Sequence, residues 1–524
     1  MPDPPSTPGV YVQEVPGAHH WIRAVDTSTT AFVDFFPRGP LDHPLVVQSF
    51  PEFLTSYGGL DERSQASYGI WQFFQHGGRR AVVLRASAGG RGRAVAAAVT
   101  LTDGTQPLLT VQALSAGQWG NELQVGVEVA TTPDRFALVV RQVAEVSGAL
   151  RVVESETHDD LSMDQDDPRY ALTTVTNASE LVRLVDHGLE QGRPDRPLPE
   201  LTAATVSDPT TLRDPATPGF LALNGGSDGA HPSALDLAQA MPLLDHADET
   251  IGLVCIPAMA ELKVGYDTVA GAALAYCRQR RAFLLLDLPL EVTRSADAVA
   301  WADQHTPLRD PNTAFYFPPL VLDDPLAAGA PRVVAPSGAV AGLCASTDAE
   351  RGVWKAPAGL DAPIVGARAV VPLADADSEL LNPRGINAIR TFPGRGAVLW
   401  GARTSVGLDD QVSEWRYVSV RRLALMVEES LVQGLQWAVF EHNDERLWAR
   451  LRGDIEVFLH DLFGRGAFIG ASAREAFFVT CDATTTTPGD IADGVVNVVV
   501  GIAPSRPNEF VVVRLRLRAG HSLH

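Results

Sequence analysis

The chain has 524 residues, 45% of them hydrophobic, and its 42 basic against 63 acidic side chains give a formal charge of -21. A chain of that size and apolar content buries more than one core, and its acidic balance disfavours nucleic acid or an anionic membrane as the main partner. It contains no apolar run of roughly 18 residues and no basic, then apolar, leader, so the sequence predicts no direct membrane insertion, no signal peptide, and folding in the cytoplasm of its producer.

Residues 1–25 read as an arm. Pro2, Pro4, Pro5, Pro8 and Pro16 surround "VYVQEV", in which Val10, Tyr11, Val12 and Val15 have the composition of one short strand with no sequence neighbour to pair with. The first part of a core follows over 26–90, with "SYGIWQFFQHGG" as a helix stopped by Gly77 and Gly78 and "RAVVLRAS" as the next strand. Residues 91–205 predict an inserted β-rich domain. Its strands "LLTVQAL", "LQVGVEVA", "RFALVVRQV" and "LRVVES" fall within 96–154, and the proline-rich stretch 189–219 is the return linker.

Over 206–375 strands and helices alternate: "TIGLVCIP", "VAGAALAYCRQRR", "AFLLLDLP", "SADAVAWADQH" and "AFYFPPL". Such alternation predicts an α/β core with a mainly parallel sheet, because parallel neighbours need a crossover. Residues 376–505 read as an α+β C-terminal domain. Its clearest helix, "DERLWARLRGDIEVFLHDLF", sets Leu447, Trp448, Leu451, Ile455, Phe458, Leu459 and Leu462 at steps of three and four, with Gly464 expected as a left-handed cap. Residues 506–524 predict a second arm, where Val513, Leu515 and Leu517 alternate with Arg514, Arg516 and Arg518 as in a strand. The two ends carry opposite charge.

Candidate chemistry is sparse. Cys255, Cys277, Cys344 and Cys481 lie far apart without C-x-x-C spacing or clustered histidines, which predicts buried thiols, with neither a metal site nor disulfides. "FPGRGAVLWGARTS" is glycine-rich but lacks the G-K-[ST] of a phosphate loop, so no cofactor is expected. Asp287, ending "LLLD", stands where α/β enzymes place functional acids, or where a structural acid meets backbone amides. Gly225, Ser227 and Gly229 spell the G-x-S-x-G of a nucleophile elbow. A hydrolase also needs an acid and a histidine on downstream loops. His231, His246, His305, His442, His460, His521 and His524 are the choices, and none sits in a glycine-bracketed, strand-terminal loop. Ala230, His231 and Pro232 further separate the motif from its helix. The residues favour a turn in which glycines supply positive φ and Asp228 or Ser233 caps the helix, so no catalytic residue is expected.

A set of segments falling in order along nearly the whole chain resembles the tail sheath proteins of contractile phages and phage-tail-like injection particles. They include "PGVYVQEV", "SFPEFLTSYGG", "FFQHGGRRAVVLR", "GQWGNELQVGV", "LNGGSDG" and "YCRQRRAFLLLDLP". More specific are "DAERGVWKAPAG", "LNPRGINAIRTFPGRGAVLWGARTS", "EWRYVSVRRLALMVEESL", "WAVFEHNDERLWARLR" and "GIAPSRPNEFVVVRLRL". His442 replaces a frequent family proline, and "AGLD" at 358–361 departs from the family's usual continuation.

The resemblance implies a structural subunit that polymerises into stacked rings around an inner tube and contracts to drive that tube through a target envelope. Its partners would be further copies of itself, the tube protein, the baseplate and a cap or terminator. It also implies an α/β domain whose layout is likened to subtilisin, without a working protease site, and a C-terminal helix that grips the tube, here through Arg446, Arg450 and Arg452. Terminal strands that complete a neighbour's sheet fit this reading physically, since backbone hydrogen bonds then link subunits. Val10, Tyr11, Val12 and Val15 would form one such arm, and Val513, Arg514, Leu515, Arg516 and Leu517 the other. The alternatives are a serine hydrolase using Ser227 and a cap or baseplate adaptor of the same particle.

Overall fold

A computed structural model describes residues 21–102, 107–130, 132, 135–146, 148–186, 219–408, 413–505 and 511–518. Its largest sheet has nine strands, in the order Pro363–Ile364, Gly396–Trp400, Ile386–Phe392, Thr313–Phe317, Phe283–Asp287, Leu253–Cys255, Thr30–Asp34, Ala81–Arg85 and Leu45–Val47. From Ile386–Phe392 to Ala81–Arg85 every neighbouring pair is parallel, and the outer pairs are antiparallel. The parallel strands are nearly unbroken apolar runs, Phe283–Asp287 reading FLLLD with every residue buried, because helices cover both faces.

The crossovers are those the alternation predicts. Helix Tyr266–Arg280 connects Leu253–Cys255 to Phe283–Asp287, and Ser295–Gln304 leads on to Thr313–Phe317. The helix expected before the first glycine pair is Gln65–Gln75, capped by Ser64, whose hydroxyl accepts from the Ser67 amide. It packs tightly on helix Ser337–Arg351: a Cβ at Gly338 would lie 2.2 Å from the Gly69 carbonyl oxygen, so the contact requires glycine there.

The inserted region builds two sheets of its own. One joins Leu221–Ala222, Leu123–Val129, Phe136–Val146 and Ala149–Leu161; the other joins Ala98–Thr102, Pro107–Ala113 and Val182–Asp186. Leu109, Val111, Leu123, Leu138, Val140, Val175 and Val182 form a core separate from the one beneath the large sheet. The returning strand Leu221–Ala222 pairs inside the insert, after the expected linker, most of which lies outside the described residues.

The chain divides into two compact units, Thr27–Val418 and the residues up to Asp26 with those from Ser419 onward. An expected domain boundary at 376 falls before Ile386–Phe392 and Gly396–Trp400, which pair into the large sheet, so the first unit runs on to Val418. In the second unit the segment from Trp21 lies on helix Val418–Gly434: the Val25 amide donates to Ser430 Oγ (3.0 Å), and a Cβ at Gly434 would meet Ile22 at 2.9 Å. Helix Glu445–Gly464 buries the whole set of apolar positions expected of it, together with Asp454, and Asp444 caps it by accepting from the amides of Arg446 and Leu447. Gly464 is not its left-handed residue. The helix runs through it, Arg465 is the cap, and the positive φ (+85°) falls at Gly466.

Candidate functional site

The loop carrying Ser227 is a structural seam. Its backbone bridges back to the start of the insert, the Val95 amide donating to the Ser227 carbonyl (2.8 Å) and the Ser227 amide to Val95 (2.9 Å). Asn121 holds the loop from the other side, donating through Nδ2 to the Gly226 carbonyl (2.9 Å) and accepting from the Gly226 amide through Oδ1 (2.8 Å). Gly229 has φ +74°, and a Cβ there would lie 2.4 Å from the Gly92 carbonyl oxygen. These demands explain the glycines without any catalysis.

Ser227 Oγ accepts from the Gly229 amide (3.1 Å), a local turn bond. The sequence-nearest histidine is turned elsewhere: His231 Nε2 lies 3.0 Å from the Arg63 carbonyl oxygen, Nδ1 lies 3.2 Å from that of Pro232, and the ring stacks on Phe35. The residue of the motif that organises its surroundings is Asp228. Buried, it accepts from the Gln118 amide (2.7 Å) and from Arg63 Nη1 (3.0 Å), while Arg63 also grips Asp61 (2.7 Å). The carboxylate thereby ties the insert to the loop before helix Gln65–Gln75. The helix after the motif is capped by Ser233 in a capping box with Asp236, not by Asp228.

Two other acids sit at the carboxyl ends of parallel strands. Asp287 Oδ1 accepts from the Ser337 amide (2.8 Å) at the start of Ser337–Arg351, and burial pushes its carboxyl up to about 7. Asp34 accepts from the amides of Phe35 (2.7 Å) and Ala66 (2.8 Å) and from Ser64 Oγ (3.0 Å), with burial raising it to about 6. Both carboxyls satisfy backbone amides at helix starts, which is the structural reading of Asp287. All four cysteines are buried, and burial raises the thiols of Cys255, Cys277 and Cys481 above their ordinary range.

The second unit holds the assembly candidates. Strand Val511–Arg518, which contains Val513, Arg514, Leu515, Arg516 and Leu517, pairs antiparallel with Val495–Ile502 of the same chain, in register from Val511 opposite Ile502 to Arg518 opposite Val495. Phe477–Thr480 completes a three-stranded sheet, in which Val511–Arg518 is an edge among the described residues. Val10, Tyr11, Val12 and Val15 lie outside the described residues. The three helix arginines separate: Arg446 is exposed, Arg450 is exposed with its guanidinium 4.3 Å over the Trp437 ring, and Arg452 donates to the Cys481 carbonyl.

Two family profiles match in succession, "phage tail sheath protein central domain" over residues 254–405 and "phage tail sheath C-terminal domain" over 410–518. These two stretches are phage tail sheath domains. The first match ends within the large unit and the second begins near the start of helix Val418–Gly434, which follows the division seen in the fold. The tail sheath protein of Vibrio phage KVP40 is 32% identical over 164 residues, 31% of this chain and 23% of that protein. A putative prophage major tail sheath protein of Pseudomonas aeruginosa is 29% identical over 231 residues, 43% of this chain and 55% of that protein. The chain thus spans about a quarter to about half of these curated relatives. Among solved structures, a sheath tail protein from Listeria innocua matches with a TM-score of 0.64 at 14% identity, over 95% of this chain and 97% of that one. The sheath complex of an extracellular contractile injection system, PVC, in its contracted state matches at 0.57 and 20% identity, over 98% of each chain. What these sheath structures share with the chain is the fold along nearly its whole length.

Proposed function

We propose that this chain is the structural subunit of a contractile sheath. It polymerises helically around the inner tube of a phage tail or phage-tail-like particle, assembles in the cytoplasm, and contracts to drive the tube through a target envelope. The observation that carries the reading is the pair of consecutive sheath profiles on a fold that follows sheath structures from end to end. Its partners are other copies of itself, the tube protein, the baseplate and a cap. It has no enzymatic role: Ser227 closes a turn and Asp228 clamps a seam. The layout likened to subtilisin belongs to the parallel-sheet core as architecture alone.

Subunits are linked by strands. Val511–Arg518 is an edge strand among the described residues, and a neighbour's strand around Val10, Tyr11, Val12 and Val15 completes that sheet by β-augmentation. On helix Glu445–Gly464, Arg446 and Arg450 face acidic groups of the tube, while Arg452 serves the fold. Negative-stain microscopy of the purified chain tests the reading. Hollow tubes or cogwheel rings are expected, and a chain that stays monomeric whether alone or with tube protein would refute it.

A further inference from the structure

Edge strand Pro363–Ile364 is thinly held to the large sheet. It pairs with Gly396–Trp400 only through Pro363 opposite Val398 and Ile364 opposite Ala397, and a proline brings no amide to such a ladder. The flanking bonds, from the Gly359 amide to the Leu399 carbonyl (2.9 Å) and from the Leu399 amide to the Ala362 carbonyl (3.0 Å), stop at Ala362. On the other side comes Val365, whose side chain is 58% exposed and gives little anchorage by packing. Its amide is anchored instead, donating to His76 Nε2 (2.8 Å). His76 is the buried cap of helix Gln65–Gln75. Its other ring nitrogen, Nδ1, lies 2.6 Å from the Gln72 carbonyl oxygen. One imidazole thus joins the end of a helix to the end of an edge strand.

The two partners fix the state of the ring. The Val365 N–H needs a lone pair on Nε2, and the Gln72 carbonyl needs a hydrogen on Nδ1, so only the neutral ring protonated at Nδ1 serves both. A second proton would set an Nε2–H donor against the Val365 N–H donor and leave a buried group unpaired. Helix Ser337–Arg351 closes over the residue, since a Cβ on Gly342 would come within 2.6 Å of the His76 Cβ. No carboxylate stands against the ring. Gln65–Gln75 has no acidic or basic residue, and its Tyr68 hydroxyl donates to Asp324 (2.8 Å). On Ser337–Arg351, Asp348 accepts from Thr27 Oγ1 (2.5 Å), Glu350 and Arg351 are exposed, and the Cys344 thiol is buried. Segment 363–366 reads PIVG, and the flanking Asp361 and Arg368 are exposed. The helix C-terminus favours an imidazolium and the Gln72 carbonyl pulls the same way, but burial outweighs them and lowers His76 below its ordinary 6.5.

We propose that His76 is a proton-sensitive pin, which holds the Pro363–Val365 edge to helix Gln65–Gln75 while the ring is neutral and releases it when the ring takes a second proton. The device belongs to the single chain and does not draw on the sheath reading. The closed edge binds the neutral ring, whereas an opened edge exposes a ring that titrates near its ordinary 6.5. The hold is therefore complete above that pH, weakens as the pH falls below it, and levels off once the closed form also takes the proton. From pH 7 to pH 5 the opening equilibrium rises by up to about 25-fold, the limit reached when the closed form stays neutral throughout. Release leaves Gly396–Trp400 with an unpaired outer side, the kind of edge on which another strand can pair.

Hydrogen exchange of the full-length chain between pH 7 and pH 5, read by mass spectrometry on peptides covering 360–368 and corrected for intrinsic exchange, tests the pin. Expected in wild type is a loss of protection of at least about fivefold, with peptides covering 283–287 at the sheet centre unchanged. His76→Gln, whose side-chain oxygen accepts from Val365 without titrating, should give a flat profile. A smaller loss in wild type, or a loss that persists in His76→Gln, would overturn the proposal. Should that variant fail to fold, long-range proton–nitrogen spectra of the histidine-labelled wild-type chain decide. One of the 13 imidazoles must stay neutral, with its hydrogen on Nδ1, to a pH below 6.5, and Val365→Pro, which deletes the donor, must shift that signal. The absence of such an imidazole, or a signal that Val365→Pro leaves unmoved, would overturn the proposal equally.

Discussion

Replacing Asp228 by alanine isolates the seam between the insert and the parallel-sheet core. The substitution removes a buried carboxylate that accepts from the Gln118 amide (2.7 Å) and from Arg63 (3.0 Å). An amide left without its acceptor costs about 1–3 kcal/mol. The Arg63 pair is worth less, about 1 kcal/mol or below, because that guanidinium is 44% exposed and keeps Asp61 as a partner. Together the local loss is about 3 kcal/mol, which corresponds to a roughly 100-fold faster opening-limited exchange of the Gln118 amide. Hydrogen exchange read by mass spectrometry, on peptides covering 113–122 and 221–230, measures it directly. Ser227→Ala, which removes a single exposed acceptor, should change the same peptides by less than about 0.5 kcal/mol. Equal effects of the two substitutions, or no effect of Asp228→Ala, would refute the seam.

Wild-type chain should fail to label with a serine-directed fluorophosphonate, and specific labelling at Ser227 would reinstate the hydrolase. Deleting residues 1–18 should abolish tubes while leaving the melting transition unchanged. Deletion after Asn508 should abolish tubes and also lower the transition of the second unit, because it strips Val511–Arg518 from its own sheet; tubes that persist in both truncations would exclude strand linkage. Because burial raises Asp287 from 3.8 to about 7, the unfolded chain ionises first, and its contribution to stability falls by roughly 1 kcal/mol per pH unit across that interval and then levels off. Asp287→Asn should remove this slope in denaturant titrations run at several pH values, and an unaltered slope would contradict the assignment. Reversing Arg446 and Arg450 to glutamate should weaken co-purification of tube protein, most at low salt, whereas Arg452→Glu should lower the melting transition through its lost bond to the Cys481 carbonyl.

Features set by neighbours in sequence were legible. Helix Glu445–Gly464 shows its buried face in the spacing of Leu447, Leu451, Ile455, Phe458 and Leu462, since one helix period decides which residues turn inward. The parallel strands were visible as short apolar runs between helices. Features set by distant partners were not. Nothing around Ile386–Phe392 announces that it pairs with Thr313–Phe317, so the reach of the large unit to Val418 is not legible locally. Gly464 stands where the apolar pattern ends, yet it is the last helical residue, with Arg465 as the cap and the chain reversal at Gly466. At the candidate sites, the missing histidine partner could be read from the loops around each histidine. The role of Asp228 depends on Gln118 and Arg63, 110 and 165 residues away, and no local pattern encodes it.

The separate core of the insert has an evolutionary side. Leu109, Leu123, Val140 and Val175 pack among themselves rather than into the layer beneath the parallel sheet, and the two regions meet at a seam held by a few residues such as Asp228 and Asn121. Mutations in one core are therefore largely invisible to the other. The insert's outer face can therefore be enlarged or trimmed, including at the hairpin turn at Gly148, where a Cβ would meet nothing within 4 Å, without repacking the core beneath the parallel sheet. In the sheath proposed above, a peptide grafted at that turn would be carried once per subunit, at regular spacing.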